Sequence, residues 1–306
     1  MKHLDAYLSA VRVGRSPLTA RTYATALRLF ASVAGGAGDT EPTVEDYKAF
    51  LSSMSANVSP RTQATYNAAV RGYLQFAAAN GASINLAAVN QADKQYRKRS
   101  GQRIPHFDRD AVEEVIEAAA ELARTKRDLE SLRNYAFVLV LASSGLRISE
   151  ACNLRRGDID YTGRRAVVIG KGDKQAVVRF TDRALRAVKA YLSARAKLDG
   201  AQGVPLASLP LFARHDAGAG NKVKPVRSGG MRKSLQAIPG WLDEGGKPRL
   251  TPHTFRHYFV TRVYQRTGDI VVTQELARHA DIGTTKRYTH LTGDLDTIYR
   301  NAMEAE

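Results

Sequence analysis

The sequence predicts a mainly α-helical protein of two domains, with one small antiparallel β-sheet in the second. Three observations predict this. The chain has 306 residues, beyond the roughly 100–200 of a usual domain. Apolar residues recur at helical spacing along most of it. At 164–180 (RRAVVIGKGDKQAVVRF) the period changes, and two alternating runs flank a turn rich in Gly and Asp. With 43% apolar and 25% charged residues, the composition is that of a globular protein rather than a disordered one.

Residues 1–90 read as helical. Ser16-Pro17 and Ser59-Pro60 each mark a helix start, with Ser as the N-cap and Pro at the first helical position. SPLTARTYATALRLF (16–30) and SPRTQATYNAAVRGYLQF (59–76) align, with Thr19 over Thr62, Tyr23 over Tyr66 and Arg28 over Arg71. The pattern predicts two helical hairpins, each opening with Ser-Pro. Their first turns present Arg21, Thr22, Arg61, Thr62 and backbone N–H groups, with Arg71 further along, and helix N-termini suit phosphate. The plainer alternative is that Ser-Pro only caps two helices. Residues 94–103 (KQYRKRSGQR) hold five basic side chains and no acid, including Lys94, Arg97, Lys98 and Arg99. This reads as an exposed basic linker lying along a phosphate backbone. The expected layout is a helical DNA-binding domain at 1–93, the linker at 94–103, and a second domain at 104–306.

The second domain opens with an amphipathic helix over 108–124, capped by Asp108 and with Glu113 and Glu114 near its start. An apolar helix follows at 131–142. Gly145 breaks it, and Ser149-Glu150 lies inside the next helix. The two strands come next, then helix at 182–198, a loop-rich stretch at 200–230, and helix to the end. Residues 293–306 carry Leu295, Ile298 and Tyr299 at helical spacing, a segment able to dock on a neighbouring subunit or on its own domain.

Charge narrows the function. Lys and Arg number 46 against 30 Asp and Glu, a net of +16. Such an excess attracts polyanions, nucleic acid first. The cations are spread through folded-looking sequence rather than gathered in one amphipathic segment, which disfavours a membrane surface. No run approaches the roughly 20 apolar residues of a membrane span, and the N-terminus has no signal-peptide pattern. The single Cys152 excludes an internal disulfide and fits a reducing cytoplasm. With one Cys and seven scattered His, a structural metal site is not expected. His253 and His257 are spaced i, i+4, but the glutamate of a zinc HExxH helix is missing.

Several polar residues stand at telling places. Arg147 follows a glycine at a helix start, Lys171 sits at the hairpin tip, and His253 and Arg256 lie one turn apart. His279 precedes Tyr288 by nine positions. Two arginines, a lysine, two histidines and a tyrosine are what phosphoryl transfer through a tyrosine requires. Guanidiniums bind non-bridging oxygens bidentately. A lysine can protonate a leaving oxygen, and a phenol can hold a phosphate covalently. Fixed cations can do the electrostatic work of a metal.

The motifs GLRISE (145–150), VIGKGDK (168–174), HTFRH (253–257) and LARHADIGTTKRYTH (276–290) stand in an order and spacing that resemble the tyrosine recombinase and phage integrase family, including Xer-type recombinases. The resemblance covers nearly the whole chain. It implies a SAM-like core-binding domain at the N-terminus and a tyrosine-recombinase catalytic domain after it. It implies Tyr288 as nucleophile, forming a 3′-phosphotyrosyl link and freeing a 5′-hydroxyl. Arg147 and Arg256 would clamp the scissile phosphate, Lys171 would protonate the leaving oxygen, and His253 and His279 would assist. Glu150 would orient the site from behind. It implies no metal, no ATP and no other cofactor. The partners it implies are double-stranded DNA and a homotetramer on paired sites, with room for accessory DNA-bending or directionality proteins. The chain departs from the family's pattern at Ala277-Arg278-His279, where Leu-Gly-His is common, and at Phe255, where leucine is common.

Other readings stay open at this level. Tyr288 could be a packed aromatic, Lys171 a solvated hairpin residue, and Arg147–Glu150 an ordinary helix salt bridge. A DNA-binding accessory protein without catalysis, or a type IB topoisomerase, would share many of these features.

Overall fold

The structure, a computed structural model, describes residues 1–35, 40–54, 58–96, 109–169 and 175–278. The chain forms two compact units, Met1–Arg103 and Ile104–Glu306.

The first unit is helical: α1 (Leu4–Gly14), α2 (Pro17–Val33), α3 (Val44–Ser53), α4 (Pro60–Ala79) and α5 (Leu86–Tyr96). Ser16 and Ser59 cap α2 and α4 as the sequence predicts. Each hydroxyl accepts the amide of the residue three ahead, Thr19 at 3.2 Å and Thr62 at 3.3 Å. Leu27, Phe30, Tyr47, Phe50 and Tyr73 fill the core, with Phe30 edge-on to both Phe50 and Tyr73. The expected linker is corrected at its start, because α5 runs through Tyr96 and takes Lys94 into the helix. The reason is packing. Val89, Ala92 and Asp93 are buried, and Asp93 is held by the Arg71 guanidinium at 2.9 Å.

The second unit is built on α7 (Leu129–Ser144), most of whose residues are buried. Packed on it are α6 (Arg109–Lys126), α9 (Asp182–Ala194) and α12 (Pro252–Thr267). A helix that is apolar on nearly all sides belongs at the centre of a bundle. Its ends run further than the sequence pattern predicts: Asp128 caps the start by accepting the Ser131 amide at 2.7 Å, and Gly145 sets the end. Between α7 and α9 lie α8 (Ile148–Asn153) and a three-stranded antiparallel sheet of β1 (Ile159–Asp160), β2 (Arg165–Ile169) and β3 (Gln175–Arg179). Strand β1 is an addition to the predicted hairpin. The β2–β3 register sets Val167 opposite Val177, and Ala166, Val168 and Val178 face the core.

The predicted helix at 182–198 is interrupted. It ends at Ala194, and the short α10 (Ala196–Gly200) follows. The break lets the fully buried Arg195 reach the carbonyls of Pro210 and Leu211 and form an ion pair with Asp199 at 2.8 Å. The chain then passes through loops to α11 (Ser228–Leu235), α12 and α13 (Ile270–Ala277). Among the described residues no helix is long and apolar enough to cross a membrane, and no group of His, Cys, Asp and Glu is arranged to hold a metal ion.

Candidate active site

Three chain turns meet at the site. The first is the end of α7. Gly145 takes the left-handed conformation, φ 60°, which stops the helix and favours glycine. It also permits close approach, since a Cβ at this position would lie 2.4 Å from the Phe259 ring. Arg147 follows two residues later as the N-cap of α8. Its amide donates to Glu150 Oε2 at 2.9 Å and its Nη1 donates to Glu150 Oε1 at 2.8 Å. A carboxylate three residues into a helix caps the free N-terminal amide in this way. Glu150 is only 7% exposed, whereas Arg147 is 50% exposed.

The second turn is the start of α12. Thr251 caps it by accepting the Thr254 amide at 3.3 Å, and Pro252 occupies the first helical position. That start places His253 on the exposed first turn and Arg256 inward. The buried Arg256 donates from Nη1 to the Gly145 carbonyl at 2.5 Å and from Nη2 to the Ala277 carbonyl. His253 sits edge-on to His257 with ring centres 4.5 Å apart.

The third turn is the end of α13, where Arg278 adopts φ 56° and ψ 46°. Its Nη2 donates to Glu150 Oε2 at 3.1 Å and to the Gly145 carbonyl at 3.5 Å. Of the expected site residues, the structure therefore brings Arg147, Glu150 and Arg256 together around the Gly145 turn. Lys171, His279 and Tyr288 lie outside the described residues. Arg278 is the participant that the sequence reading left without a role. The only signal for it was an arginine standing where the family often has glycine.

Charge balance explains the state of Glu150. Burial pushes its carboxyl pKa up, but the Arg147 amide and the guanidiniums of Arg278 and Arg147 outweigh this and hold it below its usual value. Burial, with Arg147 nearby, pulls the Arg278 guanidinium below its usual value, although Glu150 opposes this. The cluster is a buried carboxylate surrounded by cations, with Arg147 turned toward solvent.

In the first unit, Arg21, Arg61 and Lys94 are exposed. The Thr22 hydroxyl donates to the Leu18 carbonyl at 3.0 Å, and that of Thr62 pairs with Ser59 at 2.9 Å. Arg71 turns toward α5, donating to Asp93 and Asn90 at 2.9 Å each. Arg97, Lys98 and Arg99 lie outside the described residues.

Known proteins match nearly the whole length of the chain. The phage integrase family matches residues 105–294, and the phage integrase N-terminal SAM-like domain matches residues 2–81. The chain belongs to the phage integrase family, the tyrosine recombinases, enzymes that break and rejoin DNA strands. Among its relatives is tyrosine recombinase XerC of a Mycobacterium species, 33% identical over 94% of this chain and 92% of the relative. The tyrosine recombinase XerC of Pelobacter propionicus is 30% identical over 94% of this chain and 89% of its own. The fold is shared with the Tn1549 transposon integrase solved in complex with transposon right end DNA. There the TM-score is 0.71 at 17% identity, covering 100% of both chains. It is also shared with XerH site-specific recombinase bound to a palindromic difH substrate, with a TM-score of 0.70 at 22% identity over 99% of this chain and 84% of that one.

Proposed function

We propose that this chain is a site-specific recombinase whose nucleophile is Tyr288. The phenolic oxygen attacks the phosphorus of a backbone phosphodiester. A 3′-phosphotyrosyl bond forms, and the bond to the 5′-oxygen breaks. Lys171 gives that oxygen its proton, and His253 and His279 hydrogen-bond the phosphate and take up the proton that the Tyr288 hydroxyl releases. Arg147 and Arg256 hold the non-bridging oxygens. The 5′-hydroxyl of a second strand then reverses the attack, so the phosphotyrosine conserves the bond and no ATP is consumed.

The observation that carries this reading is the convergence of Arg147 and Arg256 on the Gly145 turn, with Glu150 behind and half of Arg147 left open to solvent. Exposed Arg21, Arg61 and Lys94 support phosphate contacts from the first unit, alongside Thr22 and Thr62 at the helix starts and Arg97, Lys98 and Arg99 beyond α5. Arg71 serves that surface by pinning α5, which carries Lys94. The domain layout we propose is a DNA-binding unit ahead of a basic connection and a catalytic unit from residue 104. The working assembly is four copies on two paired DNA sites in the cytoplasm, with residues 293–306 docking on a neighbouring copy.

A nicked suicide duplex tests this. The parent protein should form an SDS-resistant DNA adduct, and Tyr288→Phe should form none. An adduct of equal yield from Tyr288→Phe overturns the assignment. Strand exchange between two defined sites separates a recombinase from a topoisomerase, which would only relax supercoils.

A further inference from the structure

Arg278 keeps a backbone conformation that disfavours any side chain. Its φ of 56° and ψ of 46° lie in the left-handed region, which glycine occupies freely and other residues at an energetic cost. Its side chain does not extend into solvent to compensate. It is 10% exposed and reaches back to Glu150 Oε2 and the Gly145 carbonyl. A long cation kept under these conditions needs a favourable interaction to offset both strain and desolvation, and the Glu150 carboxylate supplies it.

We propose that Arg278 is a positioning residue for strand cleavage, acting through Glu150 to set how Arg147 is presented to the scissile phosphate. This rests on the recombinase reading above. Glu150 has two oxygens to share. Oε2 takes the Arg147 amide at 2.9 Å and Arg278 at 3.1 Å, while Oε1 takes Arg147 Nη1 at 2.8 Å. A guanidinium facing an unshared carboxylate engages it with both nitrogens in a fork. With Oε2 already occupied, Arg147 meets Glu150 side chain to side chain through one nitrogen only. Its remaining donors stay available, consistent with its 50% exposure. Arg278 also ties the end of α13 to the start of α8.

The test is single-turnover cleavage of the nicked duplex, with binding affinity measured separately. It compares the parent, Arg278→Gly, Arg278→Lys, Glu150→Gln and the double variant Arg278→Gly/Glu150→Gln. Arg278→Gly should bind DNA as tightly as the parent and still fold, because glycine relieves the backbone and Glu150 keeps the Arg147 amide and guanidinium. It should nevertheless cleave about tenfold more slowly, the scale of an outer-shell loss. Arg278→Lys should recover most of the rate. In the Glu150→Gln background, Arg278→Gly should cost nothing further, because the pathway through Glu150 is already gone. Parental cleavage by Arg278→Gly, or losses that multiply in the double variant, overturn the proposal. Arg278→Asn, which also tolerates left-handed backbone, replaces Arg278→Gly if that variant fails to fold. A parent protein that forms no adduct overturns the recombinase reading instead.

Discussion

Two of the arginine–carboxylate clusters in the second unit are of opposite design. At the junction of α9 and α10, Arg195 and Asp199 are both 0% exposed. Arg195 donates to the Tyr191 hydroxyl at 2.8 Å and to the carbonyls of Leu211 and Pro210, and Asp199 also receives Arg156. No part of that pair is open to solvent. At the site, Glu150 is also buried, but Arg147 is half exposed, and among the described residues Glu150 is the only partner of its guanidinium. The first cluster encloses its cation among protein acceptors and holds loops in place. The second saturates the acid and leaves the cation able to receive an oxyanion. The same pair of residue types is scaffold or site according to which partner is left open.

Three predictions probe that contrast. The largest effect should come from Arg195→Ala, which leaves a fully buried Asp199 short of one cation. Loss of one partner from a buried pair costs about 3 kcal/mol or more. A denaturant midpoint that barely moves would erase the distinction between the clusters. Next, Arg147→Ala should reduce single-turnover cleavage by roughly two orders of magnitude, as loss of one preorganised oxyanion donor does. Its effect on stability should stay under about 1 kcal/mol, because a half-exposed pair is screened and Glu150 keeps Arg278 and the Arg147 amide. A drop in stability as large as that of Arg195→Ala would make Arg147 a structural residue.

The smallest effect concerns pH. The Glu150 carboxyl sits below its usual 4.5 in the folded protein. Its contribution is therefore fully present above that value and is lost as pH falls through the lower folded one. Denaturation midpoints taken from about pH 6 down to about pH 3 should fall more steeply for the parent than for Glu150→Gln. Parallel curves would show that the carboxylate is not preferentially stabilised in the fold.

Much of the architecture was legible in local sequence because its signals are local. Ser16-Pro17 and Ser59-Pro60 start helices through bonds spanning three residues. Gly145 ends α7 by a backbone preference intrinsic to glycine. The alternation at 165–169 and 175–179 writes a hairpin directly. The extension of α5 through Tyr96 was not legible, because it depends on Arg71 reaching Asp93 across 22 positions. The break after Ala194 was hidden for the same reason, since Arg195 is drawn to carbonyls 15 and 16 residues away.

The sequence by itself determined the helical two-part plan, the basic character and the ordered motifs that mark a tyrosine recombinase. Each of these is carried by residue type, short-range period or spacing. Only the tertiary structure decided that Glu150 is shared between Arg147 and an Arg278 that lies 128 residues beyond it, and that Arg256 closes the Gly145 turn from 111 residues away. Hydrogen bonds form between atoms that folding brings within about 3 Å, and no local pattern encodes which distant arginine will arrive there.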